Sequence, residues 1–162
     1  MKKCEWCDFN ESEWLLFETS NWSVYLADIQ DYVGRCILVL KRHCGSISEL
    51  NTNEWLELKT TIDRLEKTFR EVLGADLCNW SCLMNSFYKS SNPNPHLHIH
   101  VRPRYSKPLV INDNDYTDTE FAHHYAIKKE VQLLDDDRRA LFVLMKKHLE
   151  LEIPSGSTKG VG

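Results

Sequence analysis

The chain has 162 residues, a formal net charge of −4, and 42% hydrophobic against 27% charged residues. That is the composition of one globular domain able to bury a core without disulfide staples. No apolar run approaches the roughly 20 residues of a membrane span, and no Lys/Arg block is long enough to follow nucleic-acid phosphates, which excludes a membrane protein and a general nucleic-acid binder. The opening Met1-Lys2-Lys3-Cys4-Glu5 has no apolar stretch behind its lysines, so no signal peptide is expected and a cytoplasmic location is predicted.

Six cysteines in such a chain suit thiols or metal ligands better than bridges. Only Cys4 and Cys7 have an informative spacing, Cys-x-x-Cys. Residues 14–17 and 23–27 are short apolar or alternating runs split by polar residues 18–21, and predict a hairpin. Residues 36–40, Cys-Ile-Leu-Val-Leu, predict a buried strand ending in Lys41-Arg42-His43. From about Asn53 the period changes: Trp55, Leu58, Ile62, Leu65, Phe69 and Val72 fall on one helical stripe, capped by Thr52 or Asn53 and closed by Gly74. Residues 77–84 and 97–101 return to strand patterns with the turn Ser90-Ser91-Asn92-Pro93-Asn94-Pro95 between them, and Pro103, lacking an amide hydrogen, should end the second. Residues 106–120 read as loop. Residues 136–151 predict a helix with Leu141, Leu144, Met145, His148 and Leu149 on one face and Asp135 as cap. Residues 154–162, rich in Gly and Ser, are expected to fray.

The stretch 95–105, "PHLHIHVRPRY", is the part that carries chemistry. In a strand, successive side chains alternate faces, so His96, His98 and His100 share one face at steps of about 6.6 Å, while Leu97, Ile99 and Val101 fill the other. Three imidazoles side by side repel when protonated and add little as packing. A neutral imidazole is a nucleophile toward phosphorus and a zinc ligand, and the pattern alone leaves a metal cluster and a nucleophilic histidine both open.

The ordered set Cys4-x-x-Cys7, Asp28-Ile29, "GRCILVLKRH" at 34–43, Asn85 eleven residues before His96, and "HLHIHV" at 96–101 resembles the histidine triad family of nucleotide hydrolases and transferases. The resemblance covers about residues 4–105, and "NPNPHLHIHVRPRY" is most similar to a branch of small microbial members. It implies that His98 attacks the α-phosphorus of a nucleotide to give a covalent nucleotidyl-imidazole. It implies further that His100 faces the phosphate and bridging oxygen, Asn85 the phosphate, and Asp28 the ribose hydroxyls. Some triad proteins and the related galactose-1-phosphate uridylyltransferases hold a structural zinc at positions matching Cys4, Cys7, His43 and His96, a Cys2His2 set suited to tetrahedral coordination.

Two positions depart from the family pattern. Arg35 stands where many members have a histidine; it neither titrates nor accepts a hydrogen bond, so it acts as a cation toward phosphate or points to solvent. Pro93 stands where many have a phosphate-contacting Ser, Thr or Gln, leaving Ser90, Ser91 or Asn94 to substitute. Arg102 or Arg104 is a further candidate for the polyphosphate. The five tryptophans and "FAHHY" at 121–125 read mainly as core, with His123 and His124 unable to face one site together from a regular element.

The expected fold is therefore α+β: an antiparallel sheet of about five strands, one long helix across it, and an added C-terminal helix. Residues 1–105 form the triad domain, 106–153 an extension packed on it, and 154–162 a flexible tail. The resemblance implies a homodimer that hydrolyses a dinucleoside polyphosphate, with a nucleoside phosphoramidase using the same site as the near alternative. A zinc-stabilised nucleotide-binding protein without turnover is the alternative of another class.

Overall fold

The structure, a computed structural model, describes residues 4, 6, 7, 9, 12–125 and 133–151; the expected tail at 154–162 lies outside them. Five strands form one sheet: β1 (Leu15–Glu18), β2 (Trp22–Leu26), β3 (Cys36–Leu40), β4 (Leu77–Ser81) and β5 (His98–Arg104). Their order is β1-β2-β3-β5-β4, every neighbouring pair antiparallel. β5 lies between β3 and β4, so its backbone is held from both sides while its side chains alternate. Leu97, Ile99 and Val101 enter the core with Leu58, Leu65 and Phe69 of the long helix α1 (Thr52–Leu73). The histidines face the other way. This is the α+β architecture that the sequence predicts.

α1 starts one residue earlier than expected. Its cap is Asn51, whose side chain accepts from the Glu54 amide while the Glu54 carboxylate accepts from the Asn51 amide, a reciprocal capping box. The buried stripe also differs in part. Leu58, Leu65 and Phe69 are buried as predicted, joined by Thr61, Thr68 and Leu73, whereas Trp55 is 46% exposed. Glu54 has a second task. Its carboxylate takes two bonds from the Arg42 guanidinium, each 2.9 Å, and these contacts hold its pKa below the ordinary carboxylate range. The start of α1 is thereby tied to the residue before His43.

Pro103 does not end β5, which continues to Arg104. Pairing with β3 stops at Val101 while pairing with β4 runs on to Arg104, and a strand with one open edge tolerates proline. β4 is shorter than expected and stops at Ser81, where a 3-10 turn at Asn85–Lys89 follows.

Residues 106–120 contain a hairpin in place of the expected loop: β6 (Leu109–Ile111) and β7 (Asn114–Tyr116). The turn residues Asn112 and Asp113 have φ of 47° and 68°, the left-handed conformation that a two-residue hairpin needs and that Asn and Asp tolerate. The hairpin is fastened to α2 (Asp135–Leu151) by buried Asp137, which accepts from Asn112, Asn114 and Tyr116. α2 buries Leu141, Met145 and Leu149 as predicted, and Leu144 is half exposed. It packs on α1 and β1: Arg64 donates to the Leu149 carbonyl and Lys146 to the Leu15 carbonyl.

Among the described residues two glycines have positive φ, Gly34 at 88° and Gly74 at 69°. A Cβ on Gly34 would lie 2.9 Å from Pro103 Cγ and 3.0 Å from Leu73 Cδ1, whereas one on Gly74 meets nothing within 4 Å. Gly34→Ala is therefore expected to cost about 3 kcal/mol, strain plus clash, and Gly74→Ala about 1 kcal/mol, strain alone. Urea denaturation checks this, and equal costs would contradict the packing argument.

Candidate active site and metal cluster

The triad face is built by register. His98 pairs with Val39, and His100 pairs with Ile37 on one side and Ser81 on the other, so both rings rise from the middle of the sheet. The His98 Nδ1–H donates to the His96 carbonyl at 2.9 Å. A carbonyl only accepts, so the proton sits on Nδ1 and Nε2 keeps its lone pair. The His98 and His100 rings stand edge to face, centroids 5.0 Å apart. Nδ1 of His100 lies 3.3 Å from Nη2 of Arg35. Guanidinium only donates, so the His100 proton sits on Nε2. Burial first, then the nearby Arg35, His98 and Arg102, push the His100 pKa down to about 3, so the ring stays neutral in ordinary buffers.

Arg35 thus does not point to solvent. It bridges His100 and Asp31, with Nη1 3.1 Å from Asp31 Oδ1, and Asp31 also receives Arg102 Nε at 3.0 Å. Arg104 is withdrawn from any phosphate role. It is 1% exposed and spends its donors on Asp118, Asn79 and the carbonyls of Glu120 and His123. The sequence reading missed Asp31, because an aspartate in a polar loop carries no periodic signal.

Asp28 is exposed at the mouth of a cavity of about 240 Å³ walled by Trp6, Phe9, Trp14, Tyr25 and Ile37, with Arg138 of α2 at its edge. Trp6, one wall of that cavity, also stacks on His98, centroids 5.4 Å apart and planes 17° off parallel, so a single ring joins the cavity wall to the triad. Asn85 is exposed at the start of the 3-10 turn; Phe87 of that turn packs against His98 at 5.8 Å, which sets the turn beside the triad. Of the five tryptophans, Trp22 is fully buried and Trp14 and Trp80 pack against the core as expected, while Trp6 lines the cavity with Trp14 and Trp55 is exposed. Only the Cys-x-x-Cys spacing around Trp6 could have signalled its place. His123 and His124 both border another cavity, beneath β4. The segment there is irregular, with Ala122 at φ 67°, and that irregularity lets adjacent residues face one space.

Cys4, Cys7, His43 and His96 converge, their ligand atoms all within 4.8 Å of one another. Cys4 Sγ and Cys7 Sγ lie 3.3 and 3.4 Å from His96 Nδ1, and Cys7 Sγ lies 3.4 Å from His43 Nδ1. A tetrahedral zinc with its usual bond lengths sets a sulfur–nitrogen edge of roughly 3.6 Å, so the spacing fits. The outer shell fits too: His96 Nε2–H donates to the Leu40 carbonyl at 2.6 Å, leaving Nδ1 as the ligating nitrogen. Burial lowers the His96 pKa, which favours the neutral ring that a metal requires. The chemistry and geometry of these four residues are compatible with zinc.

A five-stranded antiparallel sheet with one long helix behind it and a His-x-His-x-His strand on its open face is the architecture of histidine triad proteins. No protein-family model matches the sequence, and no curated protein matches it. Solved structures do. A histidine triad nucleotide-binding protein described as hypothetical, from Sulfolobus tokodaii, superposes with a TM-score of 0.65 at 15% identity, covering 98% of this chain and all of its own. A zinc-bound histidine triad family protein from Mycobacterium smegmatis gives 0.55 at 16% identity over 85% of this chain and 87% of its own. A uridylyltransferase gives 0.61 at 16% identity over 88% of this chain and 43% of its own. The chain has the histidine triad fold.

The stacked Trp6 ring and the 5% exposure of His98 generate a prediction. In Trp6→Ala, diethylpyrocarbonate is expected to modify His98 several times faster than in the wild-type chain, followed by peptide mass spectrometry. Equal rates would show that Trp6 does not screen the ring.

Proposed function

We propose that this chain is a member of the histidine triad family and a nucleotide hydrolase, with His98 as the nucleophile toward the α-phosphorus of a dinucleoside polyphosphate. The observation that carries this reading is the bond from His98 Nδ1–H to the His96 carbonyl, because it leaves the lone pair of Nε2 available on a ring stacked against Trp6, a wall of the aromatic cavity that Asp28 borders. Attack forms the Nε2–P bond as the P–O bond to the leaving phosphate breaks. The positive charge on the His98 ring is then shared with the His96 carbonyl. Water attacks the same phosphorus in the second step, the imidazole leaves neutral, and the proton of the water passes to solvent. One hard displacement is divided into two easier ones.

The other side chains have supporting parts. His100, with its proton on Nε2, donates to the oxygens as charge builds on them. The Asp28 carboxylate suits two vicinal ribose hydroxyls beside the aromatic walls, and Asn85 offers an amide to the phosphate from the turn beside His98. Zinc held by Cys4, Cys7, His43 and His96 would supply structural closure, joining the N-terminal segment that carries Trp6 to the segment after β3 and to the position two residues before β5. β4 is the edge of the sheet and exposes Leu77 and Leu83 nearby, which suits pairing with a second copy. No helix among the described residues is long and apolar enough to cross a membrane, and six cysteines suit the reducing cytoplasm.

Incubation with diadenosine tetraphosphate is expected to release mononucleotide products, and His98→Ala to lower the rate by roughly a thousandfold or more. Turnover of no nucleotide substrate would favour a binding protein, and turnover surviving in the variant would remove His98 from its role. Metal analysis of protein purified without chelator or a nickel column is expected to find one zinc per chain. Undiminished zinc in Cys4→Ser would defeat that assignment.

A further inference from the structure

We infer that Arg35 is a positioning residue that fixes His100 as a neutral Nε2–H donor, and that this restricts the site to leaving groups that depart without a proton, phosphoanhydrides rather than phosphoramidates. The inference rests on the reading of His98 as nucleophile.

The backbone of Arg35 has no freedom to move the side chain elsewhere. Its amide donates to the Tyr32 carbonyl at 2.9 Å, and its carbonyl accepts from Ala27 and from the Gln30 side chain. Gln30 also receives the Gly34 amide at 2.8 Å, locking the turn whose positive φ only glycine accepts without strain. The guanidinium then spans two partners, Asp31 Oδ1 through Nη1 and His100 Nδ1 through Nη2. Asp31 is itself fixed by Arg102 and by the Tyr32 amide. The side chains of Asp31, Arg102 and Arg35 are 4%, 7% and 13% exposed.

Charge and hydrogen-bond chemistry lead to one tautomer. Two guanidinium groups share one carboxylate, so a net positive charge is buried beside the ring and opposes an imidazolium there. An arginine cannot release its proton at any working pH, so Nδ1 of His100 is always an acceptor and the proton always on Nε2. The depressed pKa of His100 agrees with this geometry.

The consequence concerns the bond that breaks. When a P–O anhydride bond breaks, the phosphate leaves as an anion, and a hydrogen bond from Nε2–H is sufficient help. When a P–N bond breaks, the departing nitrogen needs a proton. A neutral His100 supplies one only by becoming imidazolate, and the surrounding cations keep it from being loaded with a second.

Two measurements test this. Nitrogen-15 NMR of the histidine side chains in the wild-type chain near neutral pH, without substrate, is expected to show His100 with a protonated Nε2 and an unprotonated Nδ1. Arg35→Lys, which keeps the charge but cannot bridge both partners, is expected to give a mixture of tautomers, as is Arg35→Met, with circular dichroism showing that both fold. A wild-type His100 protonated on Nδ1, or variants that retain the single tautomer, would overturn the positioning role whatever the activity. In kcat/KM the wild-type chain is expected to prefer diadenosine tetraphosphate over adenosine 5′-phosphoramidate by roughly a hundredfold, the scale of general-acid help that the nitrogen leaving group lacks here. Arg35→His, which can accept and relay a proton, is expected to narrow that ratio at least severalfold. A wild-type chain that favours the phosphoramidate, or a ratio unchanged in Arg35→His, would overturn the selectivity. Turnover of neither substrate would instead sink the hydrolase reading, with the NMR result still deciding the tautomer.

Discussion

The alternation of side chains along β5 is the constraint on which the rest of the molecule depends. Leu97, Ile99 and Val101 must be buried for the sheet to hold α1, so His96, His98, His100, Arg102 and Arg104 are committed to the opposite face. Any slip of register by one residue would exchange the two sets, placing imidazoles in the core and aliphatic side chains at the cavity mouth. Hydrogen bonds to β3 and β4 on both sides make such a slip costly. The order of the proposed roles along the face follows: candidate metal ligand, proposed nucleophile, proposed donor, and then two arginines tied up by aspartates.

The three histidines stand in different environments although they share one face. His96 is enclosed at the start of the strand, where its backbone carbonyl still points at the next imidazole, so one residue serves the metal cluster through Nδ1 and the triad through its carbonyl. His98 is sandwiched between Trp6 and Phe87. His100 lies among charges. Identical side chains at a two-residue interval thus have their proton positions set by their neighbours, Nε2 in His96 and His100 and Nδ1 in His98, a matter of hydrogen-bond partners more than of intrinsic basicity.

Much of this was legible in the sequence. The period of two at 96–101 placed the triad face, the helical period from 58 to 69 placed α1, and the family resemblance pointed to Cys4, Cys7, His43 and His96, which do converge. What was not legible lies in irregular backbone. Asp31 and Trp6 carry no periodicity, and their partners are 71 and 92 residues away in the chain. Pro103 obeyed a rule whose premise, pairing on both sides, fails where β3 has already ended. The β6–β7 hairpin was hidden because its turn is Asn-Asp, without the glycine that advertises most such turns. The solvent exposure of Trp55 beside buried Glu54 shows that the first turn of α1 turns its capping carboxylate inward and its tryptophan outward, which a hydrophobic stripe does not reveal.

Glu54 gives the molecule a mechanical property as well as a bond inventory. One carboxylate closes the first turn of α1 and grips Arg42, and its backbone carbonyl receives the Trp22 indole. Helix, second strand and the segment leading to His43 are therefore fastened together at this one residue. The candidate metal ligands are thus joined to the long helix by one side chain, through Arg42 beside His43, in addition to the backbone that carries them.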